Sequence, residues 1–336
     1  MKRRHFFTAL AGMATEGCSR KGAPQLRSVL VGALPYLSMS GFYLARELGY
    51  FSDAGLDVQV QQLPGAQQAI PLLAGGKLDV SFAALSPAFI NAAGRGARAR
   101  IVAGREIISP AYSDNALYGR RAAFPRGLKV LKELAGKRIA IPGRAMIAEF
   151  WLDAILERAE LSQSDVQIVM LGHSESVAAL LAGKIDAMLG GSFADRSFDA
   201  LSPDILLGIR LADVLPNSQF SHVIFGERLL DGALEVGARF LAAYLRGSRE
   251  FMRGRTPRFL DEYARANGLD PKRAREAHRN TVTADGSIDM QSLQRYRDWA
   301  VRKGYCPEAV RVSQLVDTRF LDEAYRRFLP RDYRNA

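Results

Sequence analysis

Cysteine is scarce in this chain: its 336 residues hold two, Cys18 and Cys306. That count excludes a disulfide framework and paired cysteine ligands for zinc, so the fold must rest on its apolar core. Apolar runs approaching the ~20 residues that cross a bilayer are also missing. The sequence lacks GxxxxGK[ST], GxGxxG after a strand, GxSxG and HExxH. Phosphate loops, serine hydrolysis and zincin chemistry therefore have no support, and no catalytic residue, metal ligand or cofactor is assigned. Lysine is rare as well, nine residues against 37 arginines.

What is present is a 48% apolar, 24% charged composition with a formal net charge of +11. At about 100–200 residues per domain, the length predicts two lobes. The charge is unevenly placed: residues 1–30 carry six bases against one acid, residues 31–238 carry 19 against 21, and residues 239–336 carry 21 against 13. In the last segment arginines recur beside acids, as in 271 PKRAREAHRN and 319 RFLDEAYRRF, the spacing of solvated helix faces with i,i+4 pairs. No aromatic-interleaved basic motif accompanies them, so nucleic acid is not an expected partner.

The start, MKRRHFFTALAGMA, places basic residues before a short apolar stretch, the order of a secretory signal. Arg3-Arg4-His5-Phe6-Phe7 is similar to the twin-arginine export pattern, and Cys18 after Gly17 is the candidate lipid acceptor. Thr15 and Glu16 depart from the usual lipoprotein pattern. Residues 1–26 are read as a signal and linker, and the mature chain is expected in the periplasm or on the outer face of the cytoplasmic membrane.

Beyond residue 27 short β-branched runs alternate with helical segments, the pattern of parallel sheets covered by helices. Strands are predicted at 28–32, 56–60, 78–82, 99–102, 138–141, 166–171, 185–189, 206–209 and 223–225, with 114–118 as a crossing strand. Helices are predicted at 41–50, 67–73, 146–159 and 176–181, and the chain reads as almost wholly helical from Glu227 onward. Phe124–Gly127 is read as lying near the first crossover. The segments 73 LAGGKLDVSFAA and 181 LAGKIDAMLGG are near copies, each with a helix end, a glycine turn and an Asp before a strand. The expected organisation is lobe 1 at 27–115 plus 220–336 with a helical tail, and lobe 2 at 116–219.

Two such halves joined by two crossings form a hinge that can close on a ligand. In open α/β sheets ligands lie beyond the carboxyl ends of strands, beside helix N-termini. That rule nominates Tyr36, Ser38 and Ser40 after the first strand, Gly65 and Ala66 after the second, and Ala84 and Ser86 after the third. In the second lobe it nominates Arg144, His173, Ser174, Gly191 and Ser192, with Tyr112 near the crossing. The serines and glycines suit a polar or anionic group, and Arg144 offers a fork for an oxyanion. Tyr36 and Tyr112 suit a flat ring, and a neutral His173 both donates and accepts. Helix capping by Ser86 and its fellows is the plainer alternative.

The phrase 42 FYLARELGYFSDAGLDVQV resembles the opening of ABC-transporter solute-binding proteins of the nitrate, sulfonate and thiamine-precursor group. Leu73–Ser81, 133 ELAGKRIAIPG, Ala182–Asp186 and 240 FLAAYLRGSREFM keep the order and spacing of that family over residues 28–330. The resemblance implies a type II periplasmic-binding fold, two α/β lobes joined by a hinge with a ligand cleft between. It also implies a monomeric binding protein that captures a small solute such as a sulfonate, nitrate or a pyrimidine-like heterocycle and delivers it to a membrane permease. Two alternatives stay open on the same fold. One is a thiamine-pyrimidine precursor synthase-like enzyme, whose Cys-rich segment this chain lacks; the other is a ligand-binding subunit of a membrane sensor.

Overall fold

The computed structural model describes residues 27–333 except 34–36, 64–67, 111–114, 129, 191–202, 233, 267–269, 277–281 and 331. Its elements run β1 (Arg27–Ala33), α1 (Ser40–Glu47), α2 (Tyr50–Asp53), β2 (Leu56–Gln62), α3 (Ala69–Ala74), β3 (Val80–Ala84), α4 (Pro87–Gly94) and β4 (Arg100–Ile107). There follow β5 (Ala116–Arg120), β6 (Arg138–Ile141), α5 (Ile147–Arg158), β7 (Gln167–Met170), α6 (His173–Leu181), β8 (Ala187–Gly190), β9 (Ile205–Arg210), α7 (Leu211–Val214) and β10 (Gln219–Phe225). The described tail is helical: α8 (Glu227–Asp231), α9 (Leu234–Met252), α10 (Arg258–Ala266), α11 (Pro271–Glu276), α12 (Met290–Arg302) and α13 (Arg319–Arg327). Among the described residues no helix is long and apolar enough to cross a membrane.

The strands form two five-stranded sheets, ordered β2-β1-β3-β10-β4 and β7-β6-β8-β5-β9. Four strands of the first sheet run parallel and β10 runs against them; in the second, β5 is the antiparallel strand. The crossing strand expected at 114–118 is, over its described part from Ala116, an interior strand of lobe 2. The chain passes between the lobes from β4 to β5 and again from β9 to β10, and the two passages are laced by Ile108 N–H to Ser218 O at 2.9 Å, Asn217 N–H to Ile108 O at 2.9 Å and Leu211 N–H to Asn115 O at 2.8 Å. Phe124–Gly127 lies past β5, inside lobe 2: Phe124 is buried there, and the glycine it precedes has φ +80°. That is local turn chemistry, which looks the same in sequence as a boundary.

The two near-copy phrases occupy equivalent places. Gly76 and Gly183 both hold left-handed φ, +65° and +71°, at the turn after α3 and α6. Asp79 Oδ2 accepts the Leu30 N–H at 2.8 Å, and Asp186 Oδ2 accepts the Arg138 N–H at 2.9 Å. The Asp79 carboxylate pins the start of β3 to β1, and that of Asp186 pins the start of β8 to β6.

One face of the first sheet buries Val29, Val31, Val80, Phe82, Val223 and Phe225 against α1, α9 and α13. Phe51 packs between Phe42 and Phe240, with ring centroids 5.6 and 5.0 Å apart, so the GYF phrase is a packing device. The other face carries Ile101 and Ile224 under α3, α4 and α12, and that core runs on into Ile139, Ile141, Trp151 and Leu152 of lobe 2.

Candidate functional site

Parallel strands of both sheets point their carboxyl ends at the shared edge, because the chain leaves lobe 1 from the end of β4 and enters lobe 2 at the start of β5. Ala116, the first residue of β5, pairs with Gly190, the last of β8. α/β ligand sites form at such a carboxyl-end edge. Tyr36, Gly65, Ala66, Tyr112, Gly191 and Ser192 lie outside the described residues, as does Cys18.

The others divide by role. Ser38 sits half-buried on the turn Leu37–Met39, and its Oγ accepts from Arg105 Nη2. Ser40 is buried completely in the first turn of α1. Ala84 closes β3, and Ser86 caps α4 by accepting the Phe89 N–H at 3.3 Å, so its hydroxyl has a structural task. His173 and Ser174 open α6 rather than standing in a loop, and both are exposed. Neighbouring protein still crowds the His173 ring, and that desolvation holds its pKa below the ordinary histidine value. A neutral imidazole at neutral pH follows.

Arg144 precedes α5 with half of its side chain exposed, and its Nη1 is engaged by Glu149 Oε1 at 3.1 Å and Gln163 Oε1 at 2.8 Å. Glu149 itself is 0% exposed and also accepts the Ala145 N–H at 2.7 Å, Gln163 Nε2 at 3.1 Å and the Tyr305 hydroxyl at 3.0 Å. Burial pushes its pKa up, but these donors and the charge of Lys303 outweigh it and leave the carboxyl below its ordinary range.

Tyr305 belongs to the tail, so the Glu149 contact ties lobe 2 to it. Beside it Trp299 Nε1 donates to Asp153 Oδ2 at 2.7 Å, and Lys303 Nζ lies 3.1 Å from the same carboxylate. Phe150 packs edge-on against Tyr296 and Trp299, with centroids 5.4 and 5.5 Å away. The other end of α12 is tied to lobe 1: Gln219 Nε2 donates to Ser287 O at 2.9 Å and Gly104 N–H to Gly286 O at 2.8 Å. A Cβ on Gly104 would fall 1.9 Å from Ser287 O, so only glycine lets the two backbones pass there. Helix α12 thus straps the two lobes together beside the crossings.

Sequence reasoning missed Arg105, a buried cation on β4 of lobe 1. Its side chain is 4% exposed and it sits 2.9 Å from Glu106 Oε2. On the opposite face of β10, His222 is 1% exposed with neither ring nitrogen hydrogen-bonded, and burial, helped by the Arg105 charge, pushes its pKa down to about 3. The available signal was a charged pair inside an apolar strand, IVAGREII; it is silent on which side chain turns inward. Cys306 is buried and its thiol is pushed up to about 11 by burial, which makes it a poor nucleophile. Among the described residues no group of His, Cys, Asp and Glu is arranged to hold a metal.

A family model described as NMT1/THI5 like matches residues 37–253. The structure is similar to the alkanesulfonate-binding protein SsuA from Xanthomonas axonopodis pv. citri bound to MOPS, with TM-score 0.67, 18% identity and coverage of 88% of this chain and 99% of that one. It is also similar to the periplasmic nitrate-binding protein NrtA from Synechocystis PCC 6803, with TM-score 0.69, 11% identity and coverage of 93% and 92%. The desulfurization enzyme DSZB matches with TM-score 0.64, 14% identity and coverage of 90% and 100%. No curated protein matches the chain. At these identities the likeness speaks for the fold, two α/β lobes of the periplasmic-binding type.

Proposed function

Since the chain belongs to the NMT1/THI5-like family, we propose that it is the extracytoplasmic solute-binding component of an ABC importer. It takes one small organic or anionic solute between its lobes, closes, and delivers the solute to a membrane permease. The observation that carries this reading is the convergence of both sheets' strand ends on a gap bridged by two hydrogen-bonded crossings. The N-terminus of α6 and the Ser38 hydroxyl supply directed donors for a bound solute. The basic-then-apolar order of residues 1–14 supports export, and Cys18 supplies the acceptor if the protein is lipid-anchored.

A thermal-shift screen of sulfonates, nitrate, pyrimidines, flavins and amino acids tests the reading, because a solute bound only by the folded state raises the melting temperature. Stabilisation by one chemical class is the expected result; a flat response across the library would overturn it. The likeness to DSZB favours one other reading, an enzyme on the same fold. Recovery of an altered product from the stabilising solute would decide for it.

A further inference from the structure

The pairing of β4 with β10 is irregular at three places, and the middle one bears on Arg105. Ser221 faces Glu106 and His222 faces Gly104, which leaves Arg105 as the extra residue of a β-bulge. Bulges re-aim a side chain and concentrate beside functional sites. Here the bulge turns Arg105 onto the α1 face of the sheet. Its guanidinium lies over the Phe82 ring, 5.6 Å from the centroid, and Nη1 donates to Ser221 Oγ at 2.7 Å. Nη2 donates to Ser38, while the buried Nε–H has no partner. The place is the carboxyl-end edge of lobe 1, where β1 leads through Ser38 into α1 and β4 leads into the crossing.

A buried guanidinium is costly to desolvate, and Glu106 alone balances its charge. Bracing Ser38 against Ser221 needs only a neutral donor, so the retained charge remains to be explained. Ser38 supplies the link. Its hydroxyl oxygen is occupied in accepting from Arg105, which leaves its single proton to be donated elsewhere. Being half-buried, Ser38 is the member of the group that solvent and solute can reach.

We propose that Ser38, backed by Arg105, is the lobe-1 anchor for the oxyanion of the solute, a sulfonate or a carboxylate. The Ser38 hydroxyl makes the direct hydrogen bond. Arg105 sets the direction of that hydroxyl and supplies positive potential from behind. Glu106 limits the strength of the site by neutralising the guanidinium. This deepens the solute-binding reading and rests on it.

The test is titration calorimetry of the purified full chain with three probes of one length: propanesulfonate, butyrate and uncharged butyramide. Wild-type protein is expected to bind one of the two anions at least tenfold more tightly than butyramide, and which anion it prefers identifies the oxyanion. Ser38→Ala and Arg105→Gln should each lose that preference, and Glu106→Gln should tighten the anion several-fold. Ser38→Ala, at a half-buried position, keeps the test open if Arg105→Gln fails to fold. Retention of the preference in Ser38→Ala, or equal binding of anion and amide by wild type, would overturn the proposal. If a different neutral solute from the broad screen binds and none of these anions does, the oxyanion anchor falls while solute binding stands. If nothing in the screen binds, the solute-binding reading itself has failed.

Discussion

The Tyr305 hydroxyl donates to the fully buried carboxylate of Glu149 at 3.0 Å, joining the helical tail to the first turn of α5 in lobe 2. Tyr305→Phe removes this donor and leaves the ring in place. A net hydrogen bond to a charged group is worth about 1.5–3 kcal/mol, and Glu149 keeps its other donors, so the expected loss is at the lower end, about 1.5 kcal/mol. Urea unfolding of the two proteins measures it.

Acid should loosen the same contact. The folded-state pKa of Glu149 is depressed, so its contribution is complete above the unfolded carboxyl value of about 4.3 and is lost as pH falls through the lower folded value. Glu149→Gln should flatten this acid limb of a stability–pH curve. An unchanged limb would show that other carboxylates set it.

His222 gives a second pH dependence of the same sign at higher pH. Its folded pKa of about 3 lies below the unfolded value of about 6.5, so between these the unfolded chain binds the extra proton. Stability should then be full above pH 6.5 and fall by up to about 1.4 kcal/mol per pH unit below it. His222→Leu removes two unpartnered ring nitrogens at similar volume. It should cost little at pH 7 or stabilise, and should remove the slope between pH 6 and pH 4 in melting experiments.

Gly104→Ala should be severe, because the added methyl meets the backbone oxygen of Ser287 rather than a side chain that can turn away. Overpacking costs about 1–3 kcal/mol, and here relief requires moving residues 286–287 and with them the start of α12. Hydrogen exchange should speed up in residues 282–302 more than in α9.

Asp79→Ala is expected to cost about 1–3 kcal/mol by leaving the Leu30 N–H unpaired in the core. Asp186→Ala should cost less, since the Asp186 side chain is 16% exposed against 2% for Asp79. Neither change should alter the preference among bound solutes, which calorimetry on the variants checks.

The alternation of strand and helix was legible because the strands are short apolar or alternating runs, such as RIAI and LDVQV, and GKLD and GKID announced equivalent strands. Gly49 and Gly55, with φ of +75° and +74°, explain why the GYF phrase is recognisable: it needs those residues to turn α1 into α2 and then β2. The site was less legible. Ser38 was nominated by strand-end logic, but its partner Arg105 is placed by a register slip between β4 and β10, which depends on a strand more than 100 residues away in sequence. The tie of α12 to α5 was hidden for the same reason: Trp299 and Tyr305 read as ordinary residues of a helical tail until Asp153 and Glu149 stand opposite them.

The central claim is that this protein binds one solute and returns it unchanged. The most direct measurement is titration calorimetry with the solute found by the thermal-shift screen, followed by mass analysis of that solute after prolonged incubation. One molecule bound per chain and quantitative recovery of intact solute is the predicted result. Catalytic conversion to a product, or the absence of saturable binding, would contradict it.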